Sequence, residues 1–448
     1  MPDIILILSD LHLANGQSIL DGFGDIQQAA FEGLTSAACG AGPMGHADEV
    51  ELVINGDCFD FLVTAPYDTG GVSDVSTSLE KLQKIIAAHP SFFEALRSFI
   101  ETPGRHVTFM TGNHDIEIRF EKVRELIYTA IGGDLVKERV CFCPTRFYRP
   151  LPDVYIEHGN HYDFWNHAIR GLWNEAGEPL DLNPSSIVLP VGSYYFQHAA
   201  HPINTKYAYF DRFEPSMNSM RQIALLCLLD PAIIIETAQL TMDMFSEPHK
   251  ALAGLALGEE RIPVRLFEET MIDFAAFQQE MQFHKPDWVE PAGLSTEQMQ
   301  VTTMIEFDMI RDALKLPLIE AVAVICTPTT YVMAERVAAG LQAVLKNDPT
   351  LRYAFAGHTH MVRIDPVNNG SQSYLNTASW TMRLALPAPG EVNAELIEWF
   401  RRPDWERVLL PDETQFTFAM VNSTPEGASS ASLCVWEGGL KGSYRVLA

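Results

Sequence analysis

Three apolar runs in the first 115 residues each end in a carboxylate. "IILILSD" (4–10) ends in Asp10, "ELVINGD" (51–57) in Asp57 and "HVTFMTGNHD" (106–115) in Asp115. Helical patterns lie between and after them: "DIQQAAFEGLTSAA", "STSLEKLQKIIAAH", "SFFEALRSFIE" and "RFEKVRELIYTAIGG", the last closed by two glycines. Near-continuous apolar strands alternating with helices describe a sheet whose faces are covered by helices. In such sheets functional groups gather along the edge formed by the carboxyl ends of the strands. The expected class is α/β.

The rest of the chain changes character twice. "VCFCPTRFYR" and "DVYIEHG" read as paired strands. From about 164 to 345 strand runs fade, and helical patterns appear over 164–175, 217–246, 264–281, 296–315 and 329–346. Near 351 strands return in "RYAFAGHTH", "SQSYLNTAS", "ELIEWFR", "FTFAMVN" and "SLCVWEGG", separated by turn residues and expected to be mostly antiparallel. The expected plan is a core built from 1–163 and 346–448, interrupted by a helical insertion or cap over 164–345. Within the insertion, "MRQIALLCLLDPAIIIETAQLTMDMF" reads as a buried helical hairpin, with acyl-chain or peripheral membrane contact as the sharper alternative. His198 and His201 read as polar core or surface residues.

Composition narrows the partners. The chain of 448 residues carries 58 acidic against 31 basic side chains, a net charge of −27. That balance disfavours nucleic acid, and no basic run offsets it. A phosphorylated substrate would need cations at the site. No run reaches the ~18 apolar residues of a spanning helix, and the N-terminal "MPDIILILSD" reads as a buried strand rather than a signal. The seven scattered cysteines imply a reducing compartment, hence a cytoplasmic protein. Cys141 and Cys143 read as packing residues on one strand face.

Five polar clusters end apolar runs: Asp10-Leu11-His12, Gly56-Asp57-Cys58-Phe59-Asp60, Gly112-Asn113-His114-Asp115, His158-Gly159 and Gly357-His358-Thr359-His360. D-x-H and H-x-H each put two ligand groups two positions apart at a strand end, where both can meet one metal. Two divalent cations about 3.5–4 Å apart neutralise a phosphoryl group and activate water for in-line attack, and holding them so close needs a bridging carboxylate. Mixed nitrogen and oxygen donors suit Mn²⁺, Fe, Zn²⁺, Co²⁺ or Ni²⁺, with Mn²⁺ favoured here.

In this order, D-x-H, G-D-x-x-D, G-N-H-D, H-G and G-H-x-H resemble the calcineurin-like metallophosphoesterase superfamily. The resemblance covers residues 4–163 and 351–400 and leaves the insertion uncovered. It implies a four-layer αββα sandwich and two divalent metal ions. Asp10, His12, Asp57 and His360 would hold one ion. Asp57, Asn113, His158 and His358 would hold the other, with Asp57 bridging. His114 would act as proton donor over the leaving group, Asp115 would fix its orientation, and Asp60 would sit behind the ligands. A finer resemblance, carried by "HGNHYDFWN", "LPVGSYYFQHAAHPIN" and "DRFEP", is to a bacterial subgroup near the UDP-2,3-diacylglucosamine hydrolases.

The implied activity is hydrolysis of a phosphomonoester, phosphodiester or pyrophosphate by a metal-bridging hydroxide, on a small or lipid-linked substrate. His161, at the seam between sheet and insertion, is expected to meet substrate. Arg363 and Arg119 are candidate phosphate contacts, Arg363 the stronger. Two other readings stay open. One is a nuclease with the same metal centre, for which the composition offers no basic track. The other is a catalytically silent binding or regulatory module, which the intact ligand set disfavours.

Overall fold

The structure, a computed structural model, describes residues 2–233, 296–327, 332–404 and 416–447, apart from 17–19, 41, 43, 69–70, 164–165, 168–171, 175, 191, 194–195, 198–200, 208, 210–211, 215–218 and 426. The helix read over 264–281, the end of that over 217–246, and His198 lie outside these residues.

The strands in chain order are β1 (Ile4–Leu8), β2 (Val50–Asn55), β3 (Val72–Asp74), β4 (Arg105–Met110), β5 (Val140–Phe142), β6 (Phe147–Tyr148), β7 (Val154–Glu157), β8 (Ser186–Val188), β9 (Phe213–Glu214), β10 (Tyr353–Ala356), β11 (Val362–Val367), β12 (Gln372–Thr377), β13 (Leu384–Ala385), β14 (Thr417–Thr424), β15 (Gly427–Glu437) and β16 (Ser443–Val446). The helices are α1 (Asp25–Ala37), α2 (Val75–Ala88), α3 (Pro90–Glu101), α4 (Glu121–Ile131), α5 (His201–Lys206), α6 (Ser219–Leu229), α7 (Thr296–Ala313), α8 (Leu318–Ile325), α9 (Val332–Asn347) and α10 (Ala394–Arg401).

Two sheets dominate. One has seven strands in the order β16-β15-β14-β1-β2-β4-β5, and the other five in the order β11-β12-β10-β7-β6. The "IILIL" run shows how they are placed. Successive strand side chains point to opposite faces, and Ile5 and Ile7 pack with Val154, Ile156, Phe355 and Leu375 of the second sheet. Ile4, Leu6 and Leu8 point the other way, into a core with Phe31, Leu34, Phe92 and Leu96 of α1 and α3. On the outer face of the second sheet, Tyr155, Ala354 and Tyr374 pack against Val337, Leu341 and Leu345 of α9. The order of layers is thus helix, sheet, sheet, helix. β1, β2 and β4 run parallel, as do β7, β10 and β12, so their carboxyl ends form one edge in each sheet.

The chain divides into two compact units, Met1–Tyr194 with Met333–Met382 and Thr414–Ala448, and Tyr195–Val332 with Arg383–Glu413. The units do not follow the sequence boundaries at 163 and 345: residues 164–194 and nearly all of α9 belong with the sandwich, and 383–413 with the helical unit. In that second unit Tyr209, Phe213, Leu225, Ile325, Trp399 and Phe400 share one core. Arg221 crosses it, paired with Glu306 at 2.8 Å and donating to the Val324 and Ile325 carbonyls at the end of α8 (2.9 and 2.8 Å). Those carbonyls have no partner within the helix, and a cation there also meets the negative end of its dipole.

Three local expectations change. "ELIEWFR" is helix α10, not a strand: Asn393 Oδ1 accepts the Leu396 N–H at 3.0 Å, and the buried positions 396, 397, 399 and 400 follow a helical repeat. "VCFCPTRFYR" splits between the sheets, β5 joining β4 and β6 pairing with β7. The described parts of 164–175 form turns and a bridge from Trp173 to Pro179 rather than a helix. All seven cysteines are free thiols; Cys143 is buried and Cys141, on the edge strand, is exposed. Among the described residues no helix is long and apolar enough to cross a membrane.

Candidate metal centre

Five strand ends deliver the candidate ligands to one place. β1 leads to Asp10 and His12, β2 to Asp57, β4 to Asn113, β7 to His158 and β10 to His358 and His360. Asp10 N–H donates to Gly56 O at 3.2 Å and His12 N–H to Asp57 O at 3.0 Å, which locks the ends of β1 and β2 together. Asn55 Nδ2 donates to Glu157 O at 3.1 Å and ties the first sheet to the second.

Asp10, His12, Asp57, His358 and His360 all have positive φ, between 51° and 65°. For residues other than glycine this left-handed conformation costs on the order of 1–3 kcal/mol each. It turns the chain sharply at the strand end and aims the side chain back over the edge. The glycines of the motifs make room for the ligands themselves. A Cβ on Gly112 would lie 2.0 Å from Asp57 Oδ1, and one on Gly56 would lie 2.5 Å from His158 Nδ1.

Three groups of side chains could each hold a metal: Asp10 with His12 and His360, Asp57 with His158 and His358, and His12 with Asp60 and His114. In the first, His360 Nε2 is 3.2 Å and His12 Nε2 3.9 Å from Asp10 Oδ1. In the second, His158 Nε2 is 3.2 Å from Asp57 Oδ2. Ligands sharing one ion at about 2.1 Å sit roughly 3.0–3.4 Å apart, so the two 3.2 Å spacings suit shared cations, as does the 3.3 Å between His12 Nε2 and His360 Nε2; His12 and Asp10 are farther apart. Asp57 Oδ2 also lies 4.0 Å from His12 Nε2, so one carboxylate faces both groups.

The fit also shows in what is left unpaired. Asp10 Oδ1, Asn113 Oδ1 and His158 Nε2 are buried without a hydrogen-bond partner. Buried polar atoms are nearly always paired, so orphans of complementary chemistry at one site mark a missing partner. The other atoms of the same groups are held. Asp10 Oδ2 accepts from His358 N–H (3.0 Å), Asp57 Oδ1 from His114 N–H (2.8 Å), and His158 Nδ1 is 2.7 Å from Asn55 O. His358 Nε2 lies 3.2 Å from Asp163 Oδ2, leaving Nδ1 for a metal. Such outer contacts set tautomer and ring orientation. Asn55 is absent from the sequence reading because its contribution is a backbone carbonyl, which no motif encodes.

Asp115 takes a role different from that expected, while Asp60, behind His12 as expected, also takes the role foreseen for Asp115. Asp115 accepts backbone N–H groups from Gly112 (2.7 Å) and Cys58 (2.8 Å), bracing two ligand loops. It does not orient His114. Asp60 does: its Oδ1 lies 3.1 Å from His114 Nδ1 and its Oδ2 2.9 Å from His12 Nδ1. Burial works against the His114 imidazolium, but Asp60, then Asp57, outweigh it and push its pKa up to about 10.

The other sequence candidates are not in the groups that could hold a metal, and each has partners of its own. His161 Nε2 is 3.1 Å from Arg146 Nη1; burial, then the Arg146 charge, bring its pKa down to about 3 and keep it neutral. Arg363 is not held ready for a phosphate. It donates to Glu335 Oε1 and Oε2 at 2.7 and 3.2 Å and to Asp365 Oδ2 at 2.8 Å, so both edges of the guanidinium are taken. Arg119 is buried and donates to the Pro144 (2.7 Å) and Asp181 (3.3 Å) carbonyls.

A pH dependence follows for metal uptake. Burial opposes the His158 proton, but Asp57, then Asp10, outweigh it and raise its pKa to about 9. A metal must displace that proton. Binding of Mn²⁺ to the metal-free chain at pH 7 is therefore expected to release protons, and affinity to climb with pH towards about 9. Calorimetry in two buffers of different ionisation enthalpy measures the release; affinity independent of pH between pH ~6.5 and ~8.5 contradicts the assignment of His158 as ligand.

No family model matches the chain, and no curated protein matches it.

Proposed function

We propose that this protein is a dinuclear metal-dependent phosphoesterase of the calcineurin-like type. It would hydrolyse a phosphomonoester, phosphodiester or pyrophosphate bond in a small or lipid-linked substrate. The observation that carries the reading is Asp57, one carboxylate facing both ligand groups beside three orphaned donor and acceptor atoms. The layering of helix, sheet, sheet and helix supports it, as does the delivery of every ligand from a strand end. We extend the proposal to Mn²⁺ as the favoured metal and to a cytoplasmic location, for which the free cysteines speak.

When bound, two divalent cations would neutralise the phosphoryl charge and lower the pKa of water. The chain's own residues do the rest. Asp10, His12 and His360 would hold one cation, and Asn113, His158 and His358 the other, with Asp57 shared. Burial excludes bulk water around the carboxylates, which strengthens every charge interaction there. His114 has Nδ1 committed to Asp60, so Nε2 is the atom that passes a proton to the departing oxygen. Its side chain is 20% exposed, enough for a leaving group to reach it. Asp60 positions two histidines at once, linking the proton donor to a metal ligand.

The test is turnover by the Mn²⁺-loaded protein of p-nitrophenyl phosphate and bis(p-nitrophenyl) phosphate. Hydrolysis of neither sinks the reading. His114→Ala is expected to keep both metals and lose about 10²–10⁴-fold in kcat, the usual share of a general acid. Metal content by plasma mass spectrometry separates the roles, since loss of metal in that variant refutes proton donation.

A further inference from the structure

A cavity of about 530 Å³ opens beside β5 and α4, lined among others by Arg119, Arg124, Tyr128, Phe142 and Leu182. Its volume is that of a small-ligand pocket. Its charge is unusual for so acidic a chain. Lys137 lines it too, but is neutralised by Glu125 at 2.8 Å and Asp134 at 3.1 Å. Arg119 and Arg124 have no such partner among the described residues. Arg119 donates to two carbonyls, while Arg124 donates to the Ile118 (3.2 Å) and Arg119 (2.6 Å) carbonyls and to Asn183 Oδ1 (3.2 Å). Glu138 is the one acid in the lining described.

Arg119 is 3% exposed, and its Nε is buried with no hydrogen-bond partner. Burial, then the neighbouring Arg124, lower its pKa only to about 10, so both guanidiniums are charged at neutral pH. Among the described residues no carboxylate comes within ion-pair distance of either guanidinium; Asp181 acts on Arg119, and Glu121 and Glu125 on Arg124, only from farther away. Holding two like charges together without a directly paired carboxylate is costly. An anion from outside fits the gap. Guanidinium N–H groups are strong donors to phosphate, and the three terminal oxygens of a phosphate can accept from the unpartnered Arg119 Nε and from Arg124 at once. The aromatic rings of Tyr128 and Phe142 and the exposed Leu182 offer apolar surface beside it.

We propose that this cavity is a second ligand site, binding a small organic phosphate whose phosphoryl group lies between Arg119 and Arg124 and whose apolar part rests on Tyr128, Phe142 and Leu182. None of the candidate metal ligands lines it, and it needs no metal. Arg119, expected among the phosphate contacts of that centre, belongs here.

The experiment is calorimetric titration of the full chain, stripped of metal by chelator, with phenyl phosphate and with benzoate. Saturable binding of phenyl phosphate is expected, at least tenfold tighter than benzoate. Arg124→Gln removes one guanidinium and Leu182→Trp fills the mouth; each is expected to weaken phenyl phosphate at least tenfold. Both side chains are at least partly exposed, and an unchanged thermal midpoint certifies the fold. No saturable binding, benzoate binding as tightly, or affinity unchanged in both variants overturns the proposal; the last outcome would place the phosphate on the histidine cluster instead.

Discussion

Asp57→Asn is expected to cost the protein both metals and nearly all turnover, while changing the shape of the site hardly at all. Asparagine keeps an oxygen to accept the His114 N–H, now 2.8 Å from Asp57 Oδ1. It cannot keep the charge. Burial opposes the carboxylate, yet His158, then His114, hold its pKa well below the usual range, so Asp57 is fully ionised at neutral pH. Its Oδ2 is the atom that faces His12 and His158 together. Losing an outer contact to a ligand costs roughly 10–100-fold in metal affinity, so losing the shared charge should cost more than ~100-fold, with activity down at least as far. Asp163→Asn, at a residue whose Oδ2 lies 3.2 Å from the far nitrogen of His358 and also accepts from Asn166 Nδ2 at 2.6 Å, is the internal comparison and should stay within that outer-contact range.

The readout need not be activity. A ligand that binds only the folded state stabilises it by RT ln(1 + [L]/Kd), about 2.7 kcal/mol at a hundredfold excess over Kd. Mn²⁺ should therefore raise the melting midpoint of the wild-type chain and leave that of Asp57→Asn nearly where it was. A variant that keeps two metals per chain, or the same Mn²⁺-dependent shift, would falsify the shared-carboxylate assignment.

How far the sequence reached is clearest from the ligands. A strand with apolar residues on both faces must lie between two layers, and β1, β2 and β4 announce that in "IILIL", "ELVIN" and "HVTFM". Where such strands end in Asp or His beside glycine, the groups can only collect at a sheet edge. The residues that orient the ligands were harder to read. Asp60 and Asp115 are the same residue type, each just past a ligand, and only tertiary geometry tells which touches His114. Arg363 follows a ligand motif directly, but Glu335, 28 positions away, takes its charge. "ELIEWFR" is short and apolar enough to suit a strand, and its cap at Asn393 decides otherwise. The division into units escapes the sequence because 383–413 returns to a core begun before residue 332, a pairing that no local pattern signals.

Lys81→Met is expected to destabilise the sandwich unit by about 3–5 kcal/mol, the cost of leaving a buried charge without its partner. Lys81 and Asp68 form an ion pair in which both side chains are wholly buried. Glu117 lies against them, accepting from Ser73 Oγ at 3.0 Å, and Ser73 in turn contacts Ser78 at 3.2 Å. Burial, then Asp68, raise the Glu117 pKa to about 8, so at pH 7 Glu117 is a neutral acid beside the Lys81–Asp68 ion pair. Removing the ammonium takes from Asp68 the cation with which it is buried. Replacing both partners is a different matter, because two desolvation penalties vanish along with one attraction. The double variant Lys81→Met/Asp68→Asn should therefore recover most of what Lys81→Met loses, and the double-mutant cycle should show coupling of several kcal/mol. Glu117 adds a pH signature. Its folded pKa of about 8 stands above the ordinary 4.5, so the stability it contributes is complete below about 4.5 and is lost as pH climbs through 8. Glu117→Gln imitates the protonated acid and removes that slope: equal to wild type near pH ~4.5, more stable at pH ~9. Urea unfolding of the metal-free chain at both pH values measures it, and parallel loss of stability in the wild type and in Glu117→Gln would show that Glu117 is not the group that titrates.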